Sequence, residues 1–469
     1  MGDSIAQIVD AARKISAADL APPFSEEALA LEFVNRHRHE VRYVAKWNRW
    51  LIWDAGRWRF DDKRRVYSLA RDICREIAQG INKENLAKTI ASAKTRAAVV
   101  SLVSDDPRIA ATVEQWDADL WLLNTPDGVL DLANGILRPA RPDDFMTKTT
   151  AVGPNGECPK WLEFLVKVTG GNAEQQSYLQ RVCGYALTGM TREHAIFFLH
   201  GLGANGKSVF VATIAGVMGE YHRVTPIETF TASMSDRHPT ELAGLMGARL
   251  VTATETEEGR QWAESRLKQL TGGDTISARF MRQDFFDFTP QFKLMIAGNH
   301  RPGLRSVDEA IRRRMNLIPF SVTIPREDRD AELTEKLKAE WPGILKWMVD
   351  GCAEWRRVGL QHPSSVVEAT ESYLATEDSL QRWLEECCRT GPQYWTQTSL
   401  LFACWRRWTE AAGEFSGTQK RFSQRLESHN FMLEKEKGQR GFRGITIYRE
   451  PPDPKSAAST LQKIWEPPW

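Results

Sequence analysis

Hydrophobic and polar positions change period several times along this chain, and each change marks an element. Between Tyr43 and Phe60 aromatic residues alternate with polar ones on either side of Asp54-Ala-Gly56, the pattern of a β-hairpin. Residues 64–118 carry apolar positions at helical spacing among Ala, Lys, Arg and Glu, so they are predicted to be helices. Leu122 to Leu137 repeats a short strand and a turn, with turns at Pro126-Asp-Gly128 and Asn134-Gly135. Residues 158–189 return to helical spacing. Four short apolar runs follow, each bounded by polar loops: Phe197–Leu199, Arg249–Thr254, Gln291–Gly298 and Met315–Phe320. Strands of this kind alternating with helices predict an α/β fold with a mostly parallel sheet and helices on both faces.

Residues 330–375 read as helices. From Asp378 to Arg449 the order is three helices, a Lys/Arg/Gly turn and a β-rich end, Gly444–Tyr448, which suits a small winged-helix domain. The chain therefore divides into an N-terminal extension (1–23), an α+β domain (24–165), an α/β domain (166–325), a helical linker or lid (326–377), the C-terminal domain (378–450) and a tail (451–469). The extension reads as a short helix ending at Pro22-Pro23. The tail is rich in Pro, Ser and Ala and is expected to be disordered or to dock in passing.

Composition adds limits. The 469 residues are 42% hydrophobic and 26% charged, an ordinary globular balance. No apolar run approaches the roughly 20 residues of a membrane span, and no signal-peptide core opens the chain. The seven cysteines form no C-x-x-C pair, so a reducing, cytoplasmic setting is expected, with no cysteine metal site. A net charge of +1 argues against coating nucleic acid by bulk charge, although a basic channel fits inside a neutral total.

The candidate chemistry centres on Gly201-Leu-Gly-Ala-Asn-Gly-Lys-Ser208, which follows a strand, precedes a helix and fits G-x-x-x-x-G-K-S. That context is the phosphate-binding loop. Its backbone N–H groups and the helix N-terminus suit phosphate oxygens. Gly201, Gly203, Ala204, Asn205, Gly206, Lys207, Ser208 and Val209 are thus expected to bind ATP. Lys207 can reach the β- and γ-phosphates, and Ser208 can hold Mg2+. The strand at 250–254 runs into Glu255-Thr-Glu-Glu258. Glu255 is assigned to the metal shell and Glu257 to water activation, and the two roles are interchangeable. Asn299 ends the neighbouring strand, near the γ-phosphate, where it can orient the attacking water. Arg312-Arg-Arg314 follows a helix-like segment, Ser306–Ile311. Such a triplet is commonly a solvated face, but in a ring Arg313 or Arg314 can serve as an arginine finger toward the adjacent subunit. Between these stations Lys268–Phe288 contains a sharp turn at Gly272-Gly-Asp274 and a predicted hairpin, Arg279–Phe288. Its cations and aromatics suit single-stranded DNA, with Arg282 near the tip. A purely structural hairpin is the plain alternative.

Taken in order, G-x-x-x-x-G-K-S, a strand ending in E-x-E, K-x-L-T-G-G-D-x-I-x-A-R and a strand ending in Asn resemble the superfamily 3 helicases. The nearest group is the phage and plasmid primase-helicases, which includes the poxvirus primase-helicase. Leu179–Gly189, Leu122-Leu-Asn with Gly128–Leu132, and residues 378–449 extend the likeness. The resemblance implies an AAA+ ATPase core at 166–325, a helicase-associated domain before it and a winged helix after it. Lys268 and Arg279 take a DNA-binding role from this family resemblance. It also implies a ring, usually a hexamer, that hydrolyses ATP with Mg2+ and unwinds forked DNA by moving on single strands, typically 3′ to 5′. Such proteins replicate phages, plasmids or genomic islands in a bacterial cytoplasm, with a separate primase or initiator as a possible partner. Many members carry a primase domain first. Only about 24 residues precede the helicase-associated region here, and no primase ligand cluster or carboxylate triad is visible, so no primer synthesis is expected. Two other readings share some of these features. One is an ATP-dependent origin-binding or assembly ring with little unwinding. The other is a metabolic P-loop kinase, which leaves the hairpin and the C-terminal domain unexplained.

Overall fold

Ser25 starts the first helix among the described residues, α1 (Glu26–His37), by accepting a hydrogen bond from Ala28 N at 3.1 Å, as an N-cap serine does. In the computed structural model, residues 21–232, 240–254, 260–280, 284–304, 307–412, 416–436 and 438–451 are described. The helix expected within 1–22 and the tail lie almost entirely outside them. An antiparallel sheet of β1 (Val41–Val44), β2 (Arg49–Asp54) and β3 (Arg57–Phe60) follows α1. The expected hairpin turn joins β2 to β3, with Ala55 at φ 48° and Gly56 at φ 80°. Two consecutive positive φ values match the right-handed twist of the strands they connect. Helices α2 (Arg65–Gln79), α3 (Glu84–Ile90) and α4 (Ala93–Asp105) share a core with this sheet, built on Phe33, Val41, Ile52, Ile73 and Val99. A meander of β4 (Leu122–Thr125), β5 (Gly128–Asp131) and β6 (Ile136–Arg138) precedes α5 (Pro159–Val168) and α6 (Ala173–Leu187).

The central sheet takes the predicted apolar runs and sets them side by side. Its order is β13-β7-β12-β9-β8, parallel throughout, from β7 (Ile196–His200), β8 (His222–Val224), β9 (Leu250–Thr254), β12 (Lys293–Gly298) and β13 (Met315–Pro319). Alternate residues enter opposite cores. Phe197, Leu199, Met295 and Ala297 face one core, shared with α5, α6 and α7 (Lys207–Met218). Ile196, Phe198, Leu294 and Ile296 face the other, shared with α9 (Glu264–Gly272), whose preceding helix is the short α8 (Thr240–Ala243). Burial on both faces is why these strands read as unbroken apolar runs. A small ribbon, β10 (Ile276–Ala278) with β11 (Phe286–Phe288), lies between α9 and β12, and α10 (Glu309–Arg312) lies between β12 and β13.

After the sheet come α11 (Leu333–Lys338), α12 (Trp341–Val358) and α13 (Ser364–Glu377). The C-terminal region is α14 (Ser379–Cys387), β14 (Cys388–Gln397), α15 (Thr398–Ala411), α16 (Gln419–Ser428), β15 (Met432–Glu436) and β16 (Gln439–Ile447), with sheet order β14-β16-β15. The three helices and the β-rich end match the sequence reading, but β14 does not. It is a half-exposed strand whose pairing with β16 shifts between Thr390 and Trp395, around Gly391-Pro392. A proline and a register shift hide such a strand from any alternation test.

Two buried cations anchor the lower edge of the central sheet. Arg249 donates to Leu187 O and Leu122 O, each at 2.7 Å. Lys293 donates to Thr188 O, and to Met190 O at 3.2 Å. The carbonyls of Leu187, Thr188 and Met190 lie at and just after the C-terminus of α6, where the helix dipole favours positive charge. Burial, and then the neighbouring Arg249, hold the Lys293 ammonium well below its usual pKa.

Helices α6 and α12 meet through glycine. A Cβ on Gly184 would lie 2.1 Å from Cys352 N, and one on Gly351 would lie 2.2 Å from Gln180 O. Only bare backbones fit at that spacing. Gly351→Val is therefore expected to destabilise the protein by roughly 1–3 kcal/mol, the usual cost of overpacking. The check is the urea midpoint; an unchanged midpoint would contradict this contact.

Candidate active site

The C-terminal ends of β7, β9 and β12 converge on one opening. Register sets Leu199 beside Ala297 and Ala297 beside Thr254, so the three strand tips lie level. A cavity of about 310 Å³ opens there, lined by Gly203–Val209, Thr254 and Ala297–Asn299. The crevice beyond the carboxyl ends of parallel strands is where such sheets bind ligands.

The loop after β7 owes its shape to two glycines. A Cβ on Gly201 would lie 2.1 Å from Phe320 O, so the chain passes there only without a side chain. Gly206 sits at φ 85°, and its Cβ position is 2.5 Å from Val168 Cγ1, on α5. Ala204 also has a positive φ, 55°. Its carbonyl accepts from Ile324 N at 2.9 Å, tying the loop to the segment after β13. Helix α7 starts directly after Gly206, which caps it without a side chain. The first N–H groups of a helix have no partner within it, and here they face the cavity. Ser208 is exposed on the first turn, and Leu202 stands 80% exposed on the loop.

Lys207 is the buried charge of the site, only 6% exposed. Its ammonium donates to Gly201 O at 2.6 Å, Asn205 Oδ1 at 2.9 Å and Asn299 Oδ1 at 3.1 Å. Three donors thus meet three acceptors. Asn205 is itself fixed by a 2.9 Å bond from Nδ2 to Phe320 O. Burial lowers the Lys207 pKa. Nearby His200 is also lowered, by burial and then by the charges of Arg301 and Lys207. The sequence reading expected Asn299 near the phosphates; it stands on Lys207 itself. The same reading passed over Thr254 and the bracing role of Asn205, which carry no motif signal of their own.

The remaining candidates divide by environment. Glu255, Glu257 and Arg282 lie outside the described residues. Among the described residues no group of three or more His, Cys, Asp or Glu could hold a metal. The expected hairpin over 279–288 is displaced. Its paired strands are β10 and β11, so Arg279 and Phe280 stand after the first strand rather than in it. The pairing runs from Ile276 with Phe288 to Ala278 with Phe286. Phe280 stacks on Phe286 at 5.6 Å, and the Arg279 guanidinium lies 4.7 Å over Phe285. Phe280 is 38% exposed and Phe285 57%. Lys268 is paired with the Asp308 carboxylate. That carboxylate is held below its usual pKa because the Lys268 bond and the Ile311 N–H outweigh its burial. Asp308 also caps α10, accepting from Ile311 N at 2.9 Å.

The three arginines point to different fates. Arg312 bonds Glu371 at 2.5 Å. Arg314 is buried, donating to Thr271 Oγ1 at 3.2 Å and to Ala310 O at 2.7 Å. Burial, and then Arg313, lower its pKa. Arg313 is exposed. The helix-like segment preceding them is shorter than expected, α10 beginning at Glu309.

Comparison with known proteins bears on this arrangement. Residues 30–170 match the family described as D5 N terminal like, and residues 199–314 match a family of unknown function, DUF5906. The helicase-named protein L207/L206 of Acanthamoeba polyphaga mimivirus is 26% identical over 386 residues, covering 76% of this chain and 38% of the relative. The helicase-named protein 022R of Frog virus 3 is 25% identical over 280 residues, covering 55% of this chain and 28% of the relative. The chain thus spans well under half the length of these relatives. In fold it is similar to the apo C-terminal region of NrS-1, with a TM-score of 0.51 at 12% identity, over 90% of this chain and 98% of that one. No helix among the described residues is long and apolar enough to cross a membrane. The chain is thus similar to the D5-type primase-helicases over residues 30–170 and, over most of its length, to a helicase-named viral relative.

Proposed function

We propose that this chain is the motor of an ATP-dependent DNA helicase, working as a ring on single-stranded DNA. The observation that carries the reading is the buried Lys207 ammonium, held by three neutral oxygens at the mouth of α7. The cradle fits a triphosphate on physical grounds. Gly201 and Gly206 leave backbone where a Cβ would collide, and the first turn of α7 offers N–H groups to anionic oxygens. Lys207 would bind the β- and γ-phosphates. Ser208 and Glu255 would hold Mg2+, which when bound neutralises developing charge on the phosphates. Glu257 would accept the proton of the attacking water, and Asn299 would orient that water. A preorganised cation and dipoles stabilise transition-state charge without reorganising.

Arg313, exposed beside its buried neighbour Arg314, is the finger toward an adjacent subunit, and Arg314 fixes the segment that presents it. The tip after β10 is the DNA contact, through Arg279 and Arg282 and the exposed Phe280 and Phe285. Lys268, the third expected DNA contact, is tied to the N-cap of α10 through Asp308. Residues 378–450 act as a winged helix on duplex phosphates or on a partner. A hexameric ring moving 3′ to 5′ is the form that the family resemblance implies.

Three outcomes are expected. Lys207→Ala abolishes ATP hydrolysis and strand displacement on a forked duplex, a loss of about 100-fold or more for a transition-state cation; full hydrolysis in this variant would sink the nucleotide assignment. Arg313→Ala binds ATP but hydrolyses it poorly, and mixing it with Lys207→Ala protein restores part of the activity at interfaces that join an intact loop to an intact finger; if subunits exchange and no mixture recovers, the finger does not act between subunits. Arg282→Ala keeps basal hydrolysis but loses DNA stimulation and unwinding, and the salt dependence of DNA binding flattens by about one phosphate contact per subunit; unwinding at the wild-type rate would make the tip structural.

A further inference from the structure

α13 touches β13, Arg312 of α10 and the loop that follows Asn299, and it ends where the C-terminal region begins. Thr370 Oγ1 accepts from Leu317 N of β13 at 2.9 Å. Glu371 accepts from Arg312, next to Arg313. Tyr373 accepts from Trp262 Nε1 at 3.0 Å and donates to Pro302 O. At the last turn, Glu377 Oε2 accepts from Leu304 N at 2.8 Å. Thr370, Tyr373 and Glu377 follow the spacing of a single helical face, so one side of one helix grips β13 and the loop of residues 299–304. That loop begins with Asn299, which stands on Lys207.

The other end of the connection is equally short. Asp378 directly follows Glu377 and is the N-cap of α14, accepting from Gln381 N at 3.2 Å. It is buried, and its second oxygen lies 3.3 Å from His429 Nε2, with the Arg425 guanidinium 3.6 Å from the first. The carboxylate thus joins α13, α14 and α16 at one point.

Lys207 has three N–H donors and all three are in use, so an entering phosphate oxygen must displace one acceptor. The Asn299 contact, at 3.1 Å, is the longest of the three. Pro302 and Leu304, three and five residues after Asn299, are fastened to α13.

We propose that Tyr373 and Glu377 are positioning residues for the Asn299 loop, and that α13 carries the displacement of this loop on nucleotide binding to the C-terminal region at Asp378. The inference rests on the nucleotide reading of the cavity and adds a route out of it. A packed helix with discrete hydrogen bonds at both ends is the kind of element through which two sites couple.

The test uses the full chain, with ATPγS and Mg2+ as the probe. Hydrogen–deuterium exchange is followed in residues 379–447 with and without the probe, for the wild type, Glu377→Ala, Glu377→Gln and Tyr373→Phe, after thermal melts confirm folding. In the wild type, exchange in α14 and α16 changes on nucleotide binding. Glu377→Ala loses that change while its nucleotide affinity stays within about threefold, and its kcat falls about tenfold with little change in KM, since the lost bond positions rather than binds. Glu377→Gln, whose amide oxygen still accepts from Leu304 N, recovers the response. Tyr373→Phe weakens it in the same direction and serves if Glu377→Ala does not fold. A wild type that binds ATPγS without any change in residues 379–447, or a folded Glu377→Ala that keeps the full change, overturns the relay. A wild type that does not bind ATPγS overturns the nucleotide reading itself, and the relay with it.

Discussion

A buried ammonium must find oxygen, because an unpaired charge out of water costs far more than a fold of this size can spare. Lys207 finds it in a backbone carbonyl and two asparagine side chains. Each of those oxygens must in turn be fixed. Gly201 is pressed against Phe320, Asn205 is bonded to the Phe320 carbonyl, and Asn299 stands at the end of a fully buried strand. The loop, the end of β13 and the tip of β12 are therefore held in one geometry by one cation. Neutral acceptors leave that cation with its charge uncompensated by them, which is what an anionic ligand requires.

The sheet makes this possible at a distance. Parallel strands in matched register deliver their C-terminal tips to the same level, so residues far apart in sequence arrive together. At the opposite edge Arg249 and Lys293 hold the carbonyls that close α6. The two edges thus differ in character: one has its cations spent on fixed carbonyls, the other presents a cation and a helix N-terminus to an opening. The same logic separates the neighbouring arginines, since Arg314 is used within the chain and Arg313 is left at the surface.

Much of this was legible in the sequence, for reasons that can be named. The buried strands announced themselves because both faces are apolar, and the loop because Gly201 and Gly206 are demanded by contacts under 3 Å. What stayed hidden depends on partners remote in the chain. The pairing of Lys268 with Asp308, forty residues on, has no mark in the sequence. Three consecutive arginines carry no sequence mark of which one the turn after α10 will bury. Lys293 and Arg249 sit at strand starts, where a charged residue reads as a boundary rather than as a buried clasp. β14 is polar, bears a proline and changes register midway, and β8 is three residues long with an exposed edge, so neither offers a period to detect.

The central claim is that the cavity at the strand tips hydrolyses a nucleotide and that single-stranded DNA governs the rate. Steady-state phosphate release from ATP and Mg2+, measured on one preparation of the purified protein with and without single-stranded DNA, tests it most directly. The account predicts measurable hydrolysis that rises when DNA is added. Hydrolysis that is absent in both conditions, or indifferent to DNA at saturating concentration, would contradict it.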